Sequence, residues 1–178
     1  MRDVHDTQAP SAVPDQADAA AEFRRLMGLF ATGVCVVSVN SGKDAIAAMT
    51  VNSFVSVSLD PMVVCWSLQN SSSQFDVYAR ADRFAVSILA QDQAELATRY
   101  AARGDTQLRE LDFTQSAQGL PVIAGALGHF GCQKHSDHLV GDHTMIFGEV
   151  AGLRIHRALD DSISPLGFFN GKFCSIEQ

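Results

Sequence analysis

No run of apolar residues in the chain approaches the eighteen or so that a membrane-spanning helix needs. The N-terminal stretch carries Asp3, Asp6 and Asp15 and no apolar segment, unlike a secretory leader. Basic charge is scarce: Lys and Arg total 13 against 20 Asp and Glu, a formal net charge of −7 over 178 residues. That balance speaks against nucleic acid or an anionic membrane as a partner, since both reward cationic surfaces, but it leaves room for a local phosphate site. Zinc-ligand spacing is missing too. Cys35, Cys65, Cys132 and Cys174 are far apart, with no C-x-x-C among them. The first three lie in or beside apolar segments such as Val34-Cys35-Val36-Val37, where buried, reduced thiols are expected. No G-x-G-x-x-G follows a strand and opens a helix, so a dinucleotide is not held in the Rossmann manner. Internal repeats are absent. These exclusions point to a cytoplasmic protein of one domain.

What is present is a hydrophobic fraction of 47% and a charged fraction of 19%, ordinary for a globular chain. Residues 1–18 mix Asp, Gln, Ala and Pro without periodicity and read as a flexible arm; 19–178 read as one domain. Phe23, Leu26, Met27 and Phe30 recur at i, i+3, i+4 and i+7, one stripe of an amphipathic helix that Gly33 is placed to end. The period then shortens. Val34–Val39, Ala45–Val51, Phe54–Leu59 and Met62–Leu68 read as four strands in quick succession, a meander or Greek key. Ser73 with Asp76, and Asp92 with Glu95, resemble capping boxes for helices over Gln74–Arg80 and Gln93–Arg103, with strand Phe84–Leu89 between them. After a polar loop, Ala126–Lys134, Thr144–Ile155 and Ile163–Phe168 read as further strands. The fold class is mainly β with peripheral helices, a barrel or a sandwich.

Four clusters carry polar chemistry. Met49-Thr50-Val51-Asn52-Ser53-Phe54 interrupts a strand pair with hydroxyl and amide groups. It reads either as a half-exposed strand and turn or as a set of donors for a heteroaromatic edge. Ser67-Leu68-Gln69-Asn70-Ser71-Ser72-Ser73 ends a strand and opens a helix, where unpaired N–H groups favour an anion; the alternative is a cap with loop residues around it. His135-x-x-His138 lies in a polar turn with no third ligand at a recognisable spacing, so no metal site is expected there. His143, in Gly141-Asp142-His143-Thr144, sits where the chain re-enters a strand beside a carboxylate able to orient the ring; the alternative is a solvated turn histidine. Near the C-terminus, Phe168-Phe169-Asn170-Gly171-Lys172-Phe173 either docks into the core or forms a platform for a flat ring.

Taken in order, these segments resemble the short-chain flavin reductases of two-component monooxygenase systems. The resemblance is carried by Phe23-Arg24-Arg25, Gly28, Phe30 and Thr32-Gly33-Val34; by Met49 to Phe54 continuing to Ser58-Leu59-Asp60-Pro61; by Phe84 to Leu89 and Gly119-Leu120-Pro121; and by Gly141-Asp142-His143 with Gly148-Glu149-Val150. It implies a split β-barrel of the flavin reductase and FMN-binding type, with Greek-key connections, assembled as a homodimer. The activity it implies is an NAD(P)H:flavin oxidoreductase that delivers reduced FMN or FAD, by diffusion, to a partner monooxygenase. NADH is favoured over NADPH as the donor because no Arg cluster marks a 2′-phosphate site. By the same resemblance Thr50, Val51, Asn52 and Ser53 contact the flavin ring, and Ser67, Leu68, Gln69, Ser72 and Ser73 its ribityl and phosphate part. His143 then positions the nicotinamide, and Phe169 stands where relatives often have Tyr. Ala48, Met62, Asn170 and Lys172 depart from the family pattern. A flavin-binding split barrel with another redox or sensing role, or an interaction protein of similar fold, are the rival readings.

Overall fold

The computed structural model describes residues 16–42, 45–102, 107–156 and 164–176. Residues 1–15, most of the expected arm, lie outside them, as do Arg103 and Ile163. In chain order the elements are α1 (Gln16–Gly28), β1 (Thr32–Gly33), β2 (Cys35–Gly42), β3 (Ala45–Val51), β4 (Val55–Leu59), β5 (Met62–Gln69), α2 (Phe75–Arg80) and β6 (Arg83–Ile88). They continue with α3 (Ala94–Ala101), β7 (Phe113–Gln115), β8 (Pro121–Ile123), β9 (Gly128–Val140), β10 (His143–Ile155), β11 (Leu166–Phe169) and β12 (Lys172–Ser175). Among the described residues no helix is long and apolar enough to cross a membrane.

Seven strands form one antiparallel sheet in the order β3-β2-β6-β9-β10-β5-β4. The four early strands are therefore two hairpins, β2–β3 and β4–β5, rather than one continuous meander. β3 and β4 occupy opposite edges of the sheet, yet only Asn52, Ser53 and Phe54 separate them in the chain. A connection that short obliges the sheet to curl until its edges approach, which makes a split barrel. Ser53, in that link, prolongs the β4–β5 pairing: its hydroxyl oxygen accepts the Ser67 N–H at 3.0 Å.

The apolar run that begins at Cys35 follows from burial on both faces. Cys35, Val37 and Val39 point into the barrel, where they pack with Val64, Trp66, Leu68, Tyr78, Phe84, Val86 and Ile146. Val34 and Val36 face outward under α3, against Leu89, Ala97, Tyr100, Ile123 and Leu166. Two buried serines on this outer face tie down β8. Ser38 donates to the Pro121 carbonyl at 2.6 Å, and Ser87 accepts the Ile123 N–H at 3.0 Å. Strands covered on both sides read as continuous hydrophobic runs rather than alternating ones.

The small sheet β1-β11-β12 adds Leu166, Phe168 and Phe173 to the outer cluster. Val34 N–H donates to the Leu166 carbonyl at 3.1 Å and Leu166 N–H to the Leu89 carbonyl at 2.9 Å, which holds β11 in place. β12 was not anticipated. It follows a turn in which Asn170 and Gly171 both have positive φ, 49° and 76°. A two-residue hairpin turn of this kind favours Asn-Gly.

Several boundaries differ from the sequence reading. α1 starts at Gln16, so residues 16–18 of the expected arm are helical, and it ends at Gly28 rather than at Gly33, because Thr32 and Gly33 pair with Phe168 and Gly167 as a strand. The helix after the serine run starts at Phe75, and Ser73 does not cap it. Ser73 is exposed, and the Ser72 hydroxyl accepts the Gln74 N–H at 3.3 Å instead. α3 is preceded by a 3₁₀ turn over Gln91–Gln93, and the reciprocal cap is made by Gln93, whose side-chain oxygen accepts the Ala90 N–H at 3.1 Å. His135 and His138 lie within β9, not in a turn, because β9 runs on to Val140.

Cys35, Cys65 and Cys132 are buried and unpaired, and Cys174 is exposed. Burial pushes the Cys35 and Cys132 thiols up to about 12 and raises Cys65 as well. A thiol near 12 is ionised in only about one molecule in ten thousand at pH 8, and the thiolate is the reactive form. Ellman's reagent is accordingly expected to label Cys174 rapidly in the native protein and the other three only after denaturation. Rapid labelling of a second thiol in the native state would contradict this packing.

Candidate functional site

Alternation along β3 and β5 decides which side chains of the two polar segments reach the surface. On β5, Ser67 and Gln69 face away from the interior while Leu68 is fully buried in the barrel core. Leu68 can therefore offer a cofactor only its main chain. Val51 is likewise a core residue, 7% exposed, whereas Thr50 and Asn52 open onto the surface.

Two clefts meet at this edge. The first, of about 710 Å³, is lined by Met49 and Thr50 of β3, by Gln69, Ser71, Ser72, Ser73 and Gln74, and by Tyr100, Ala101 and Ala102 at the end of α3. The second, of about 910 Å³, lies between α1 and the link from β3 to β4. Phe23, Arg24, Met27 and Phe30 form one wall, Asn52, Ser53, Phe54 and Val55 another, with His143 and Phe168 at its rim. A smaller hollow of about 170 Å³ runs between Thr50, Val51, Asn52, Ala101, Phe168 and Phe173. The residues singled out in the sequence thus separate into two groups. Thr50, Gln69, Ser72 and Ser73 share the first cleft, and Asn52, Ser53 and His143 share the second.

Phe169 lines neither cleft. It is 44% exposed on the outer face of β11, opposite Lys172. Its neighbour Phe168 takes the inward position and rests on Phe173 with ring centroids 5.6 Å apart. Gln74, Tyr100, Ala101 and Ala102 were also missed, because a helix end packed against a distant strand leaves no local pattern.

Hydrogen bonding shows which groups have capacity to spare. Thr50 donates its hydroxyl hydrogen to the Ala97 carbonyl at 2.8 Å, so towards the cleft it can act only as an acceptor. The side-chain oxygen of Gln74, a residue 7% exposed, is buried without a protein donor. The hydroxyl of Thr32, in the wall of the second cleft, is also unpartnered. A buried acceptor left unpaired costs about 1–3 kcal/mol, which a ligand hydroxyl or N–H can recover. In the second cleft His143 Nδ1 lies 2.8 Å from the Asp142 carboxylate. The hydrogen bond and charge of His143, with a smaller contribution from Arg24, hold the Asp142 carboxyl below its usual range. Among the described residues no three His, Cys, Asp or Glu side chains converge as metal ligands would.

Comparison with known proteins agrees with this architecture. Residues 27–177 match the model of the flavin reductase like domain. The FMN reductase (NADH) SmoA of Agrobacterium fabrum is 42% identical over 151 residues, covering 85% of this chain and 83% of its own. The reductase subunit HsaB of a flavin-dependent monooxygenase from Rhodococcus jostii is 30% identical over 167 residues, covering 93% of this chain and 83% of its own. The Streptomyces globisporus NADH:FAD oxidoreductase SgcE6, solved in complex with NAD and FAD fragments, superposes with a TM-score of 0.80. Its identity is 31%, and the match covers 93% of this chain and 97% of that one.

Proposed function

The chain belongs to the family of flavin reductase like domains, and from that premise we propose that it is an NADH-dependent flavin reductase. The reduced FMN or FAD it makes passes to a partner monooxygenase in the cytoplasm. The observation that carries this reading is the pair of adjoining clefts, one rich in hydroxyls and amides and one with His143 at its rim.

The residues present fit a flavin. Ser71, Ser72 and Ser73 supply hydroxyl donors for a phosphate, the Ser72 N–H being already given to the Gln69 carbonyl, and the unpartnered oxygen of Gln74 suits a hydroxyl or N–H of the ligand. Thr50, Asn52 and Ser53 border the place where the two clefts meet, and Val51 presents its main chain there. A flavin bound there would supply an acceptor for the hydride of the nicotinamide, and the one proton that completes its reduction would come from solvent. The chain's own part is to hold two flat rings in register, to exclude water between them, and to place main-chain N–H groups where negative charge grows. No proton need pass through a side chain. His143, oriented by Asp142, positions the dinucleotide.

Steady-state oxidation of NADH with FMN, FAD and riboflavin side by side tests the proposal. Flavin-dependent turnover is expected. Flavin binding without NADH consumption would instead support a different redox or sensing role, and absence of both would leave an interaction protein. His143→Ala is expected to raise KM for NADH about three- to tenfold, the worth of one positioning hydrogen bond. Flavin affinity measured alone should stay within about twofold. Stopped-flow flavin reduction at several pH values checks this; a rate and KM equal to wild type would make His143 a plain turn residue.

Assembly as a homodimer is part of the same proposal. Phe23, Leu26, Met27 and Phe30 form the stripe read in the sequence, and they are 64%, 64%, 49% and 67% exposed on one chain. That much contiguous apolar surface is costly to leave in water, and a second copy that covers it puts the second cleft, walled by Phe23, Met27 and Phe30, beside the subunit interface. Light scattering is expected to give twice 19.2 kDa, and the double variant Leu26→Glu with Phe30→Glu to shift the mass to one chain. A wild-type mass of one chain at micromolar concentration would refute it.

A further inference from the structure

The two clefts are not mechanically separate. β5 and β10 pair antiparallel, and their last rung sets Gln69 of the first cleft directly opposite His143 of the second. Beyond that rung the chains diverge, β5 into the serine loop and β10 into the Gly141-Asp142 turn. One residue joins them there. Asn70 donates its N–H to the Asp142 carbonyl at 3.0 Å, and its side-chain oxygen accepts the Thr144 hydroxyl at 2.7 Å. Thr144 is only 8% exposed, so its hydroxyl depends on that acceptor. Asp142, held by Asn70 through its main chain, in turn holds the His143 ring through its carboxylate at 2.8 Å.

We infer that Asn70, fixed by Thr144, is a positioning residue that couples the serine loop to His143, so that flavin and dinucleotide bind with positive cooperativity. The inference rests on the assignment of the two clefts to flavin and nicotinamide. The physical route is shared ordering. Ser71, Ser73, Gly141 and Asp142 are all exposed loop residues beyond the end of a ladder. A ligand that settles on the serine loop fixes Asn70, which fixes Asp142 and the posture of His143. The second ligand then meets a segment whose ordering cost is already met. Linkage makes the effect reciprocal, so the dinucleotide must tighten flavin by the same factor.

The test is flavin affinity by fluorescence titration, with and without saturating NAD⁺, which binds without reducing the flavin. Wild type is expected to bind FMN about three- to tenfold tighter when NAD⁺ is present. Thr144→Val keeps the shape and removes the hydroxyl, and should bring that factor close to one. It should also raise KM for NADH several-fold while kcat is largely kept. Thr144→Ser restores the donor and should restore the coupling. Asn70→Ala should match Thr144→Val, and the double variant should be no worse than either, since both remove one bond. A wild type without coupling overturns the inference. So does Thr144→Val with full coupling and only a lowered melting temperature, which would make the bond merely structural. If wild type binds no flavin and oxidises no NADH, the assignment of the clefts fails first, and the two failures are distinct.

Discussion

Ser73→Asp is expected to weaken FMN and FAD roughly ten- to a hundredfold while riboflavin stays within about twofold. Ser73 is exposed at the wall of the cleft of about 710 Å³, and the start of α2 is organised by Ser72 rather than by Ser73. The substitution therefore adds charge without removing a structural bond. A carboxylate about 5 Å from a phosphate, at an effective dielectric of about 40, is repelled by roughly 1.7 kcal/mol per unit charge. A phosphate carrying nearly two charges feels about 3 kcal/mol, or a hundredfold, and salt at physiological strength reduces this towards tenfold. Titrations at two ionic strengths, with Ser73→Asn as the neutral control, measure it. Equal losses for riboflavin and FMN would remove the phosphate from this loop.

The second large effect is on the fold. Gly148→Val is expected to lower the melting temperature by about 2–12 °C, or to prevent recovery of folded protein. Gly148 lies on β10 at a register shift against β9, and the ring of Phe84 fills the space a side chain would use. A Cβ there would overlap Phe84 Cζ and stand 2.9 Å from the Cβ of Cys132. Phe84 is itself wedged against Trp66, with centroids 6.1 Å apart, and is 2% exposed, so it has nowhere to go. Overpacking of a rigid core costs about 1–3 kcal/mol or more, and for a chain of this size about 1 kcal/mol moves the midpoint 2–4 °C. Phe84→Leu combined with Gly148→Ala should recover part of the loss, because the two changes share one space. A Gly148→Val protein that melts with wild type would show that the barrel interior is looser than its contacts imply.

What could be read beforehand, and what could not, divides along physical lines. β3, β5 and β6 announced themselves through β-branched runs between turn residues, and Ala45–Val51 was bounded to the residue. α1 was legible as a stripe but not in its length, since Gly33 is a strand partner of Gly167, a residue far along the chain. His135 and His138 read as a turn because β9 extends beyond the barrel, where its polar residues face water as a loop's would. Thr50, Gln69 and the serines were visible because polar residues broke an apolar pattern. Tyr100, Ala101 and Phe168 were invisible as site residues because only packing brings them there. The choice between Phe168 and Phe169 needed the phase of a short strand, which two adjacent aromatics do not reveal.

The position of the clefts within the strand order also bears on when they come into being. The hairpins β2–β3, β4–β5 and β9–β10 each join neighbours in the chain, and β9 meets β10 through a turn of two residues. Such contacts close small loops and form early. The rung that sets Gln69 opposite His143 belongs to the strand pair most widely separated along the chain within the large sheet, and the pairing of β1 with β11 that delivers Phe168 spans further still. The last surfaces to assemble in folding are then the walls of the two clefts. By the same token they are the first to come apart in a partial opening, so a molecule that has lost its clefts can keep most of its barrel, and a bound flavin is a clamp on the joint that closes last.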